Sequence, residues 1–209
     1  KVDDVVNNSI SQTIVKQISK KIRKTKTDGI VFSDFRHGIF NEKNISIFSK
    51  NISKNTLKVA DSQVASRWGN ICDFKKFDLI TPNELEARFS LAKQDNSIYE
   101  LSKQLVDKTK CKNVILKLGS NGMFCIEKKN MNKYFTLGSF VKNLIDPVGA
   151  GDSLCSYATL GLMASGSMKI ATILGAFAAA CECEFDGNIP IDPGEVLKKI
   201  NYYKKISKL

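Results

Sequence analysis

Asn113-Val114-Ile115-Leu116-Lys117-Leu118, running into Gly119-Ser120-Asn121-Gly122, is the stretch on which the fold turns. A half-buried strand alternates polar and apolar residues. This run is apolar almost throughout, the pattern of a parallel strand covered on both faces. The glycines that follow mark a turn, and Met123–Glu127 reads as its antiparallel hairpin partner. Toward the N-terminus, residues 77–80, 57–61 and 29–34 are further short apolar strands, each ending in polar residues. Apolar residues at helical spacing predict helices over 4–26, near 42–53, from Glu84 onward and over 98–109. Toward the C-terminus a strand pair is expected near 133–145, then helices over 152–164, 168–184 and 193–205. Strands alternating with helices predict an α/β fold with an open, mostly parallel three-layer α/β/α sheet.

Ligands of such sheets bind beyond the carboxyl ends of the strands. Each polar cluster in the chain falls at one of those ends: residues 34–38, 61–63, 83–86, 119–122 and 149–152. The last belongs to Asp146-Pro147-Val148-Gly149-Ala150-Gly151-Asp152, which follows the apolar residues 140–145 and enters a helical pattern. Glycines at a helix start expose successive N–H groups, and the helix dipole adds partial positive charge, so the segment suits a phosphate. Asp152, in the first turn, is placed to accept a proton from a hydroxyl attacking that phosphate. Taken alone, Gly-Ala-Gly-Asp reads equally as a structural turn with a favourable helix charge. Asn83 and Glu86 read either as a helix cap or as groups that hold the hydration shell of Mg2+.

The segment with an aspartate at each end resembles the Asp-Thr-x-Gly-Ala-Gly-Asp signature of the ribokinase (PfkB) family of carbohydrate kinases, departing from it at Pro147. Thr81-Pro82-Asn83-Glu84-Leu85-Glu86 is similar to the family's P-N-x-x-E element, and residues 117–123 to its strand and L-G-x-x-G turn. Ser33-Asp34-Phe35-Arg36-His37-Gly38 resembles the Ser-Asp-Tyr-x-Lys-Gly segment of the heptose-phosphate kinase branch, with His37 in place of the lysine.

The resemblance implies ATP as phosphoryl donor and a sugar or sugar phosphate as acceptor. Asp152 is then the general base, and Gly149, Ala150 and Gly151 supply the N–H cradle. Lys117, Gly119, Ser120, Gly122 and Asn188 flank the nucleotide, Asp34 and His37 the sugar. Asn83, Glu86 and Asp146 serve Mg2+. The family's threonine lies near the phosphates and a monovalent-cation loop. Pro147 removes that hydroxyl and an N–H, which leaves dependence on K+ open.

Nothing in residues 1–28 resembles the family's Gly-Gly sugar-binding segment or its β-lid, and the first residue is Lys1. The chain is therefore expected to be a single α/β kinase domain lacking the N-terminal part, whose full-length form is a candidate homodimer. A non-catalytic nucleotide-binding module of the same fold is the alternative.

The net charge of +11 is spread over lysine-rich helical surfaces rather than interleaved with aromatics, so a solvated surface is expected and nucleic acid is not. No apolar stretch reaches membrane-spanning length. Six cysteines without a CxxC pair, and one histidine, argue for reduced core thiols and a cytoplasmic compartment.

Overall fold

The computed structural model describes residues 8–63, 70–187 and 189–206. Alternation along the strand Asn113–Lys117 builds its two cores. Val114 and Leu116 point into one apolar layer and Ile115 into the other. The strands are β1 (Gly29–Asp34), β2 (Leu57–Ser62), β3 (Leu79–Ile80), β4 (Asn113–Lys117), β5 (Met123–Glu127) and β6 (Tyr134–Leu137). They form one six-stranded sheet in sequence order. The first four are parallel, and β5 and β6 are antiparallel additions.

One face carries α1 (Gln12–Lys24), α2 (Glu42–Lys50), α3 (Glu84–Leu91) and α4 (Ile98–Thr109). Their Val15, Phe48, Ala87 and Leu105 meet Phe32, Ala60 and Ile80 of the sheet. Phe32 packs edge-on against Phe48, Phe74 and Phe77. The other face carries α5 (Ala150–Ser165) and α6 (Met168–Glu182), whose Leu154, Ala158 and Ala171 meet Val59, Leu79 and Ile115. The helix α7 (Pro193–Ile206) closes a smaller cluster with Phe177 and Cys181. Sheet and flanking helices thus make the expected three layers.

Two boundaries differ from the sequence reading. The first helix starts at Gln12, because the Ser11 hydroxyl caps it by accepting from the Ile14 N–H at 3.4 Å. Residues 1–7 lie outside the described part. The strand pair expected near 133–145 is the single strand β6. Beyond it the N–H groups of Ile145 and Asp146 both bond the Cys183 carbonyl, so the apolar Leu144 and Ile145 stay exposed. All six cysteines are buried and unbridged, as core thiols are. Among the described residues no helix is long and apolar enough to cross a membrane.

Only β2 pairs with β1, so the outer edge of β1 is free among the described residues. That edge is apolar. Val31 is 40% exposed, Met163 lies over Gly29, and Ile18, Ile22, Ile30 and Ile52 line an adjoining groove of about 370 Å³.

Helices α5 and α6 approach so closely that a methyl group at Gly175 would stand 2.8 Å from the Leu154 carbonyl oxygen and 3.1 Å from Ala158 Cβ. Overpacking costs about 1–3 kcal/mol, whereas alanine gains only about 1 kcal/mol of helix propensity over glycine. Gly175→Ala is therefore expected to lose up to about 2 kcal/mol in urea denaturation, the difference between those two terms. Unchanged or raised stability would mean that the helices have room to part.

Candidate functional site

Because β1 to β4 run parallel, their carboxyl ends share one rim, and the polar residues gather there. Asp61, near the end of β2, is buried. It accepts hydrogen bonds from the Lys117 ammonium at 3.0 and 3.3 Å and from the Thr81 hydroxyl at 2.9 Å. Lys117 ends β4, and its N–H bonds the Pro82 carbonyl at 2.9 Å, tying β4 to the segment after β3. Burial alone would lower the Lys117 pKa. The Asp61 and Glu86 carboxylates outweigh it and hold the ammonium above its ordinary value.

The helix α5 starts at Gly149, whose φ of +86° is the left-handed conformation that favours glycine, and no side chain caps it. Among the described residues the N–H groups of Gly151 and Asp152 have no acceptor, while those of Ala150 and Ser153 bond Pro147 and Gly149. The Lys117 ammonium reaches this turn, since a Cβ at Gly151 would stand 3.1 Å from Nζ. Open amides, the positive end of a sixteen-residue helix and a lysine converge, and that set suits an anion.

Asp152 lies in the same turn. Burial raises its pKa first and the Asp61 carboxylate second, with Glu182 adding to them, while Lys117 and a hydrogen bond from the Ser33 hydroxyl pull it down. The net effect is a carboxylate more basic than usual. Cys155, close by, is pushed up to about 12 by burial and is no rival as a base.

The remaining expected residues divide. Asn83 and Glu86 form a capping box: the Asn83 N–H donates to Glu86 Oε2 at 2.7 Å, and the Glu86 N–H to Asn83 Oδ1 at 2.8 Å. The cap reading therefore holds for their mutual contacts. Asp146 accepts the Val148 N–H at 2.9 Å in a local turn. Among the described residues no group of three His, Cys, Asp or Glu is placed to hold a metal.

Asp34 is buried, and its carboxylate takes hydrogen bonds from the Arg36 N–H at 2.9 Å, the Arg36 guanidinium and the Ser62 hydroxyl at 3.1 Å. His37 is exposed in the following loop. Gly119 and Ser120 are exposed in a short 3-10 turn. Gly122, at φ +81°, is pressed against the Leu137 carbonyl, where a side chain would not fit. Asn188 lies outside the described residues.

Sequence reading missed the partners: Thr81 and Asp61 for Lys117, Arg36 for Asp34, Ser33 and Glu182 around Asp152. One signal was present. A lysine ending an apolar, doubly covered strand needs a carboxylate nearby.

The sheet, its flanking helices and the open helix start define an α/β protein of ribokinase-like fold. Residues 48–192 match the pfkB family of carbohydrate kinases, and the chain belongs to that family. The bifunctional protein HldE of Helicobacter pylori (strain Shi470) is 26% identical over an aligned length of 189 residues that covers 86% of this chain and 38% of that protein. Among solved structures, Escherichia coli phosphofructokinase-2 in complex with potassium aligns with a TM-score of 0.77 and 18% identity, over 93% of this chain and 63% of that one. Arabidopsis thaliana ribokinase complexed with ribose and ATP aligns with a TM-score of 0.69 and 18% identity, over 92% and 60%. The chain thus spans under two-fifths of the curated relative and under two-thirds of these kinases.

Breaking the Asp61–Lys117 pair strands a buried charge. Lys117→Met is expected to cost about 3–5 kcal/mol, the scale for removing one partner of a buried pair. Adding Asp61→Asn should restore part of that. Thermal unfolding of the two single variants and the double variant measures the coupling, and additive losses would show that the pair is not coupled.

Proposed function

We propose that this chain is the nucleotide-binding and catalytic part of an ATP-dependent kinase acting on a hydroxyl of a sugar or sugar phosphate. The observation that carries the reading is the uncapped start of α5, where open amides, Lys117 and the basic Asp152 meet. Membership of the pfkB family of carbohydrate kinases and the likeness to the ribokinase bound to ribose and ATP support the substrate class.

In this reading the amides of Gly151 and Asp152 and the dipole of α5 hold the transferred phosphoryl oxygens as negative charge develops on them. Lys117, kept charged by Asp61, offsets further phosphate charge. Asp152 accepts the proton of the attacking hydroxyl, and its raised basicity suits that role. The exposed turn with Gly119 and Ser120 flanks the nucleotide, and His37 and the Asp34 loop flank the sugar. The donor set of Asn83 and Glu86 fits Mg2+ through its waters, since the ion keeps several of them and each side chain already accepts the other residue's backbone N–H. Bound there, Mg2+ would supply charge neutralisation at the triphosphate. Asp146 and Pro147 begin the turn, and a role for K+ beside them belongs to the same reading. Free buried cysteines suit a reducing compartment such as the cytoplasm.

Asp152→Asn is expected to leave affinity for ATP with Mg2+ within a few-fold by calorimetry and to cut sugar-dependent ADP release by about 10² or more. Turnover within a few-fold of the parent would remove Asp152 as the base. The pH profile gives a second check. A base acts only when ionised, and burial and Asp61 raise this one. Turnover should therefore fall on acidification through a midpoint above the roughly 3.9 of a free aspartate. A nucleic-acid binder would behave otherwise: affinity for duplex DNA would fall by about 10³ or more between 50 and 200 mM salt.

A further inference from the structure

Glu182 closes α6 with a side chain 1% exposed. Its Oε2 accepts the Ser153 hydroxyl at 2.9 Å, and Oε1 is buried with no hydrogen-bond partner among the described residues. A buried carboxylate so sparsely satisfied is costly, and an apolar residue of similar size is often neutral or better for the fold. Its place in the fold gives it a use. Ser153 follows Asp152 in the first turn of α5, so the one hydrogen bond that the Glu182 carboxylate receives among the described residues comes from the residue beside Asp152. The close approach of α5 and α6 at Gly175 fixes that relation.

The groups around Asp152 come from every layer of the site. Asp61 faces it from β2, Lys117 from β4, the Ser33 hydroxyl from β1 and Glu182 from α6, with the neutral Cys155 on its own helix. Asp61 is engaged by Lys117 and Thr81. Glu182 has no cation bonded to its carboxylate among the described residues, and it acts on Asp152 more weakly than Asp61 does.

We propose that Glu182 is a positioning residue for Asp152, clamping the first turn of α5 through Ser153 and placing a buried negative charge that helps Asp152 draw a proton. The inference rests on the reading of Asp152 as proton acceptor. One proton moves in the step, from the attacking hydroxyl to Asp152.

The test is a carboxyl-carbon NMR titration of Asp152 in the 209-residue chain, with Glu182→Gln and Glu182→Met as charge-removing variants and Ser153→Ala as the clamp variant. Both Glu182 variants are expected to move the Asp152 midpoint down, because a like charge that favours protonation is gone. Their melting temperatures should equal or exceed that of the parent. Ser153→Ala should keep the midpoint near the parent's and speed hydrogen exchange in the first turn of α5. An unmoved or raised midpoint in a folded Glu182 variant overturns the electrostatic role. Unchanged exchange in Ser153→Ala overturns the clamp. A Glu182 variant that only lowers the melting temperature marks the residue as structural and also overturns the proposal. The base reading fails separately: if Asp152→Asn retains turnover while Glu182→Gln still shifts the midpoint, the coupling stands and the base assignment does not.

Discussion

The ion pair between Asp61 and Lys117 is the constraint around which the rim is arranged. A lysine at the end of a doubly covered strand would be expelled unless a carboxylate met it, and Asp61 does so from two strands away with Thr81 between them. The pair sets the depth of the site. It brings the ammonium to the start of α5, where a Cβ at position 151 would stand only 3.1 Å from it. It also places a negative charge where it makes Asp152 more basic. The ammonium beside the α5 start and the raised basicity of Asp152 therefore both trace to one buried contact.

The opposite side of the site depends on helix packing. Small residues along α5 and α6 let the two helices meet nearly backbone to backbone, which fixes the first turn of α5 without help from a capping side chain. A capping residue would have consumed the amides that an anion needs. Rigidity imported from a neighbouring helix leaves those donors open.

Much of the frame was legible along the chain. The apolar run of β4, the glycine turn after it and the helix spacing of residues 98–109 each carry their own period, and local pattern and tertiary environment agree there. The 133–145 region was misread because apolar residues without a sheet neighbour look the same in sequence as a buried strand. Only the Cys183 carbonyl, remote in sequence, shows where the N–H groups of residues 145 and 146 go. At the site, the open start of α5 with Asp152 in its first turn could be read from the glycine–aspartate segment. The partners of Lys117 and Asp152 could not, because Asp61, Ser33 and Glu182 reach them across 56, 119 and 30 residues of chain, distances that no local spacing encodes. Asn83 and Glu86 show the reverse case, in which both readings used the same residues and the local one is what their mutual hydrogen bonds express.

The edge of β1 that is free among the described residues has a colloidal consequence. A strand edge with unpaired backbone groups and apolar side chains on both flanks is a template for another strand, and natural sheets guard such edges with charge, proline or a covering element. Here Val31 occupies the middle of the edge, with Met163 and the isoleucine groove beside it. The net charge of +11 keeps copies of the chain apart through long-range repulsion, and at about 0.1 M salt that repulsion decays over roughly 10 Å. Solubility of the isolated chain therefore depends on ionic strength, and a strand laid along β1 would remove that dependence.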